Sequence, residues 1–347
     1  MVIHRYSASQ VITTALDPFD DVIEWIKGFR SVDYLTEVIR RRHPKVGAVA
    51  PPVEERIAAA ASHISTALDY VAQAREGPES VAFLPLYYAF LDLAKVYILL
   101  GPLADRLPAE RTHGVSYDPT GNHGDLLDET INIWDQGAIP LFYRTVTNLP
   151  MPRGPVTLAD VYPYILSIGA EYEMASGRGV RRQPVYIEIT RAGGQDVVRC
   201  HLLTNDRPVE GMNALQDLPI LDGFTQDPSE PAAFSSGPLA GNAASDVDAV
   251  LRRYLIHTVG PIDDYYDVTP IYTPIGPITW LPFEEMPILL AFFHLGSVAR
   301  YNPEYLQGMA RSKYWPMLLV LRRQATFRFL CLFWNFMMQE SYYLVRR

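Results

Sequence analysis

The segment VAFLPLYYAFLDLAKVYILLGPL, residues 81–103, constrains this chain more than any other. Its spacing predicts a helix with apolar side chains around the whole cylinder, and a helix of that kind has to be buried on every side. Only Asp92 and Lys95 interrupt it with charge. Their i, i+3 spacing places both on one face of the helix. Two readings follow: a structural Asp-Lys pair inside the core, or charges that line a functional groove.

A chain of 347 residues that is 48% hydrophobic can surround such a helix with one large core or two ordinary ones. The two cysteines, Cys200 and Cys331, stand in apolar surroundings without a CxxC partner, which argues against a disulfide framework or a thiolate zinc site. The N-terminus MVIHRYSASQVITTALDPFDDVIEWI lacks a basic region followed by an apolar one. The apolar stretches MPILLAFFHLGSVA and FLCLFWNFMMQ fall short of the roughly 20 residues a spanning helix needs. A cytoplasmic protein with no membrane association is expected.

The net charge of −9 is unevenly spread. From Pro287 onward the acids are Glu304 and Glu340, against Arg300, Arg311, Lys313, Arg322, Arg323, Arg328, Arg346 and Arg347. Arg322, Arg323 and Arg328 are candidate contacts for phosphate or nucleic acid. Basic knots also stand at RRRHPK (Arg40 to Lys45) and RGVRR (Arg178 to Arg182). The competing reading makes all of these solvated helix faces that answer the acidic remainder.

The periodicity predicts an N-terminal helical block over residues 1–150. DPFDDVIEWIKGF has an acidic start, and PPVEERIAAAASHISTALDYVAQAREG runs from a Pro-rich start to a stop at Gly77. LLDETINIWDQGAIPLFYRTV reads as further helix, with Pro140 as its end or kink. Residues 151–283 form a β-containing insert. In it, PVYIEITRAGGQDVVRCHLLTND alternates like a hairpin with its turn at Ala192-Gly193-Gly194-Gln195. Residues 222–246 are rich in Pro, Gly, Ser and Ala and read as a surface loop. VTPIYTPIGPITWLP supplies edge strands, since its prolines exclude a helix. Residues 284–347 return to helices packed on the N-terminal block. One helix ends near Arg300, before Asn302-Pro303, and another begins at Pro316. The fold class is α+β, predominantly α-helical, with a β-hairpin or small-sheet insert in one compact domain.

No GxGxxG follows a strand, and GxxxxGK[ST], HExxH and GxSxG are absent. In ERTHGVSYDPTGNHGDLLDE, Asp118, Thr120, Asn122 and Glu129 fit a calcium-loop register, but His123 stands where that loop needs glycine. His113 and His123 lack the cysteines of a common zinc set. No metal or cofactor is expected, and the DPTGN run reads as a turn with Asp125 capping the helix that follows. Arg106 and His113, separated by LPAERT, are more suggestive. An arginine holds phosphate and a histidine moves a proton near neutral pH without a metal.

Taken together, LPLYYAFLDLAKVYILLG, the following RTHGVS, and LGSVARYNPEYL with SKYWPMLLVLRRQATFRFLCLFWNFM resemble the YaaC-like bacterial proteins. The Tyr-Tyr-x-Phe-x4-Lys helix and the His-Gly after it also look like the HEPN superfamily, which implies a HEPN-like helical core. HEPN domains commonly dimerise, and many are metal-independent ribonucleases with an Arg-x4-6-His motif; others have lost catalysis and serve as assembly modules. The motif falls on Arg106 and His113, at the upper limit of its spacing and with Pro108 inside it. The resemblance therefore implies two functions. The first is a non-catalytic interaction or assembly subunit, in bacterial defence or stress response. There, Asp92, Lys95, His113, Arg300, Tyr301 and Asn302 form a polar network joining the N- and C-terminal blocks. The second is an endoribonuclease in which Arg106 binds the scissile phosphate, His113 is the general acid or base, and Asp92 or Lys95 orients the site. The expected partners are a second copy of the chain or a larger assembly, with RNA as the candidate ligand.

Overall fold

The structure is a computed structural model, and it describes residues 9–14, 17–43, 46, 53–110, 112–118, 124–192, 195–202, 224–237, 271–274, 283–339 and 341–346. The chain divides into two units. A helical unit holds Thr14–Val180, Glu285–Gln339 and Arg346–Arg347, and a β unit holds Met1–Thr13, Arg181–Glu284 and Glu340–Val345. The class is α+β with helix predominant, as the periodicity predicts.

In chain order, the strand β1 (Ser9–Thr14) is followed by α1 (Pro18–Lys27), α2 (Val32–Arg42), α3 (Val53–Glu76) and α4 (Phe83–Leu99). Asp17 starts α1 by accepting from the Phe19 amide at 3.0 Å, and Ser31 caps α2 through the Tyr34 amide at 3.3 Å. The alanine-rich α3 buries Ile57, Ala60, Ala61, Ile64, Ala67, Leu68, Val71 and Ala74, an i, i+3, i+4 stripe of mostly small side chains. Small side chains let α4 lie close against it. Gly77 then ends the helix, its amide donating to the Gln73 carbonyl at 3.0 Å.

After α4 come β2 (Val115–Tyr117), β3 (Thr130–Ile133), α5 (Ala138–Thr147), β4 (Gly154–Thr157), α6 (Leu158–Val161) and α7 (Gly169–Ser176). The strands β2, β3 and β4 form an antiparallel sheet within the helical unit, with Val115 opposite Ile133 and Ile131 opposite Val156. Residues 126–146 therefore do not continue as one helix, contrary to the sequence expectation. Asp125 caps a single 3-10 turn, Leu126–Asp128, and Ile131 and Ile133 then alternate into the core as a strand. Pro140 marks neither an end nor a kink; it sits in the first turn of α5, where its missing N–H costs nothing.

The β unit begins with β5 (Arg182–Ala192) and β6 (Gln195–Leu202), the expected hairpin, in which Ala192 pairs with Gln195. With β7 (Thr225–Gln226), β8 (Ala233–Ser235) and β9 (Ile271–Pro274) they form a sheet of order β7-β8-β6-β5-β9. The proline-bearing β9 lies at an edge, as its composition requires. The stretch expected to be a loop over 222–246 is instead part of this sheet at β7 and β8, with Phe234 buried. The strand β10 (Ser341–Arg346) pairs with β1.

Four helices complete the helical unit: α8 (Glu285–Tyr301), α9 (Pro303–Met309), α10 (Trp315–Val320) and α11 (Thr326–Met338). A π-helical turn, Leu321–Ala325, joins α10 to α11. The core centres on α4, which packs most extensively on α3, α8 and α5. The span Glu79–Leu99 has the length and hydropathy of a membrane helix, yet 72% of that apolar window is buried inside the protein. Its apolarity is spent on packing. Phe90 stacks on Phe329 of α11 with centroids 4.4 Å apart and meets Phe292 of α8 edge-on at 4.9 Å. Tyr97 stacks on Phe336 at 3.9 Å and donates its hydroxyl to Glu285 at 3.1 Å. Gly296 lets α8 approach α4, because a Cβ there would stand 3.3 Å from the Leu84 Cα and the Tyr87 Cβ.

Phe90 is fully buried where α4 meets α8 and α11, so Phe90→Ala is expected to cost about 3–5 kcal/mol in guanidinium unfolding. Val32→Ala, at a side chain that is 44% exposed, should shift stability by less than about 0.5 kcal/mol. Equal costs for the two would contradict the central position of Phe90.

Candidate functional site

The one incompletely buried stripe of α4 carries its polar residues. Leu84, Tyr88 and Lys95 are half-buried, while Asp92 beneath them is 8% exposed. A carboxylate at that depth needs donors. Asp92 Oδ1 receives the Lys95 ammonium at 2.8 Å and Nδ1–H of His63, from α3, at 3.0 Å. Burial pushes the Asp92 carboxyl up, but the bonds and charges of His63 and Lys95 outweigh it and hold the group below the ordinary carboxylate range.

His113 reaches the same stripe from the segment that precedes β2. Its Nδ1 is hydrogen-bonded to the Tyr87 hydroxyl at 2.6 Å, and its ring lies against Tyr87 at 5.5 Å and edge-on to Tyr88 at 6.1 Å. The Tyr87 phenol is pushed well above its ordinary value by burial and by neighbouring Tyr88, so it stays protonated. Two glycines fix where His113 stands. Gly114 has φ +80° and Gly137 φ +122°, and a Cβ on Gly137 would lie 2.3 Å from the Gly114 Cα. That close approach lets the His113 carbonyl accept from the Ile139 amide at 3.0 Å and the Thr112 carbonyl from Ala138 at 3.0 Å, tying the segment to the start of α5.

Arg300, in the last turn of α8, closes the far side. Its guanidinium donates to the Tyr88 hydroxyl at 3.4 Å and covers the Tyr301 ring at 5.1 Å. Tyr88 also stacks on Tyr70 of α3 at 5.7 Å. The His113 pKa lies below the usual imidazole value, first through burial and then through the positive charges of Lys95 and Arg300. The ring is therefore neutral at pH 7, half-buried, and near two cations.

Asp92, Lys95, His113 and Arg300 thus come together, joined by His63, Tyr87 and Tyr88. Arg106 is placed differently. It is exposed on the 3-10 segment Ala104–Ala109, which includes Pro108, and its side chain makes no hydrogen bond or ion pair among the described residues. Tyr301 is 57% exposed, and the Asn302 carbonyl accepts from the Tyr305 amide at 3.1 Å at the start of α9. Arg322 and Arg323 lie on the π turn, and Arg328 is buried in α11. His123 lies outside the described residues.

The YaaC-like family model matches residues 28–337. The chain belongs to the YaaC-like protein family. Neither a curated protein nor a solved structure matches it. The match begins just after α1 and runs from α2 into α11, so every residue of the α4 cluster lies within the YaaC-like region. His63 and Tyr70 had no signal of their own in the sequence: both are ordinary positions on α3, and only the packing of α3 on α4 brings them to the stripe.

The histidines make stability depend on pH. His43, like His113, has a lowered pKa, through burial that its bond to the Met337 carbonyl only partly offsets. The unfolded chain takes up protons on both rings as pH falls through the model-peptide value of 6.5, while the folded chain takes up fewer. Stability therefore rises with pH just below 6.5 and is lost as the solution becomes more acidic. His113→Gln should reduce that slope in urea midpoints measured between about pH 5 and 7; an unchanged slope would mean that the ring is not held neutral.

Proposed function

We propose that this YaaC-like chain is a non-catalytic interaction subunit, and that the cluster on α4 is the polar lock of the scaffold it presents. The observation that supports this is the connectivity of the cluster. Asp92 is bonded to Lys95 of its own helix and to His63, Arg300 to Tyr88, and His113 to Tyr87, so the bonds of His63, Arg300 and His113 join α3, α8 and the segment before β2 to α4. Arg106, the residue a HEPN-type mechanism would use to hold the scissile phosphate, contributes no bond to that network.

A second reading is favoured by His113 itself. A neutral, half-buried imidazole near Lys95 and Arg300 has the protonation state of a general base and neighbours of the right sign for a phosphodiester. On this reading the chain is a metal-independent ribonuclease in which Arg300 and Lys95 take over the anion-holding role assigned to Arg106.

Incubating structured and single-stranded RNAs with the purified chain, with and without chelator, separates the two. The interaction reading expects no cleavage above buffer by wild type, His113→Ala or Arg106→Ala. Chelator-resistant cleavage that disappears in His113→Ala would overturn it in favour of the nuclease.

A further inference from the structure

The opposite side of α4 holds a feature that the polar cluster does not use. Leu86 and Tyr88 are about 200° apart around the helix, and Leu86 lines a cavity of about 420 Å³. Its other walls come from Asp17 and Phe19 at the start of α1, Ala74 and Arg75 at the end of α3, Glu79, and the stretch Leu319 to Thr326. That volume suits a small organic molecule.

The lining is divided by chemistry. Ala74, Leu86, Leu319 and the Phe19 ring make an apolar floor. Arg75, Arg322 and Arg323 stand around it with Asp17 and Glu79. Arg75 is committed to Asp20 at 2.7 Å and lies over the Phe19 ring at 5.0 Å, which leaves Arg322 and Arg323 as the donors available to a ligand. Leu319, Arg322, Arg323 and Thr326 all face the cavity. The π turn falls within this stretch, and the Thr326 hydroxyl donates back to the Arg322 carbonyl at 2.5 Å. Turns of this kind are rare and recur at functional sites.

The two guanidiniums of this stretch are loosely held. Arg322 Nη1 is 3.7 Å from Glu79 and Arg323 Nη2 is 3.9 Å from Asp17, both beyond hydrogen-bond range. Asp17 is already engaged with the Phe19 amide. Among the described residues, Arg322 donates only to the Ala74 carbonyl, at 3.4 Å, and Arg323, whose side chain is 76% exposed, makes no side-chain hydrogen bond. Each guanidinium carries five N–H donors. Most of that capacity is free at the mouth of an apolar cleft.

We propose that this cleft binds a small amphipathic anion, with its apolar body on Leu86, Leu319 and Phe19 and a carboxylate or phosphate head bonded by Arg322 and Arg323. The site is independent of His113.

Calorimetric titration of the full chain with octanoate, octyl phosphate, octanol and inorganic phosphate tests the proposal. Saturable one-to-one binding is expected for octanoate or octyl phosphate, and which of the two binds tighter identifies the head group. Octanol, which lacks the charged head, should bind at least about tenfold more weakly, as should the amphiphile to Arg322→Gln/Arg323→Gln, since a charge-assisted bond is lost in both cases. Inorganic phosphate, which keeps the charge but lacks the apolar body, should also bind at least about tenfold more weakly. Arg323→Gln alone touches no hydrogen bond of the fold and should weaken binding in the same direction, while His113→Ala should leave it unchanged. Absence of saturable binding by both amphiphiles, or equal affinity in wild type and the arginine variants, would overturn the assignment.

Discussion

A carboxylate inside an apolar helix sets the terms for the helical unit. The aliphatic and phenylalanine side chains of α4 need only apolar neighbours, which α3, α5, α8 and α11 supply through alanines, phenylalanines and the gap at Gly296. Asp92 needs donors, and one within its own helix is not sufficient at 8% exposure. Lys95 supplies a charge one turn away, and His63 supplies an N–H from α3. The Asp92 pair thus fixes the register of α3 against α4 in a way that sliding apolar surfaces cannot, because a shift of one residue would leave the carboxylate buried with half its partners.

The second constraint is backbone rather than charge. Gly114 and Gly137 approach so closely that neither tolerates a Cβ, and this contact anchors the segment that carries His113. The sheet of β2, β3 and β4 extends from the same place. The imidazole thereby arrives at the α4 stripe on a rigid support, with Tyr87 on one nitrogen and the charges of Lys95 and Arg300 nearby. A site held in this way can serve as a lock, as the interaction reading has it. The same rigidity and the neutral imidazole are what acid-base chemistry on a phosphodiester requires, which is why one cluster supports two readings.

Much of this was legible in the sequence wherever local rules decide the outcome. The all-round apolarity of α4, the acidic start of α1, the Gly77 stop, the β5–β6 hairpin and the break before Asn302-Pro303 each follow from a few adjacent residues. The strand β3 was not legible as such. Its four residues lie in a run whose other apolar positions also suit a helix, and pairing with β2 and β4 decides the matter. The π turn was equally hidden, since Leu321–Ala325 has the composition of an ordinary helix. In the site, the spacing of Asp92 and Lys95 foretold their pairing, and the His-Gly after α4 directed attention to His113. His63 stands 29 residues before its partner and belongs to the site only through tertiary packing.

The buried Asp92 carboxylate is held by Lys95 at 2.8 Å within the polar network of α4. A double-mutant cycle on Asp92→Asn and Lys95→Met, read from guanidinium unfolding at neutral pH, measures that directly. A coupling energy of about 1 kcal/mol or more is predicted for two groups in direct contact in a shared network. A coupling near zero, with the two single costs simply adding, would contradict it.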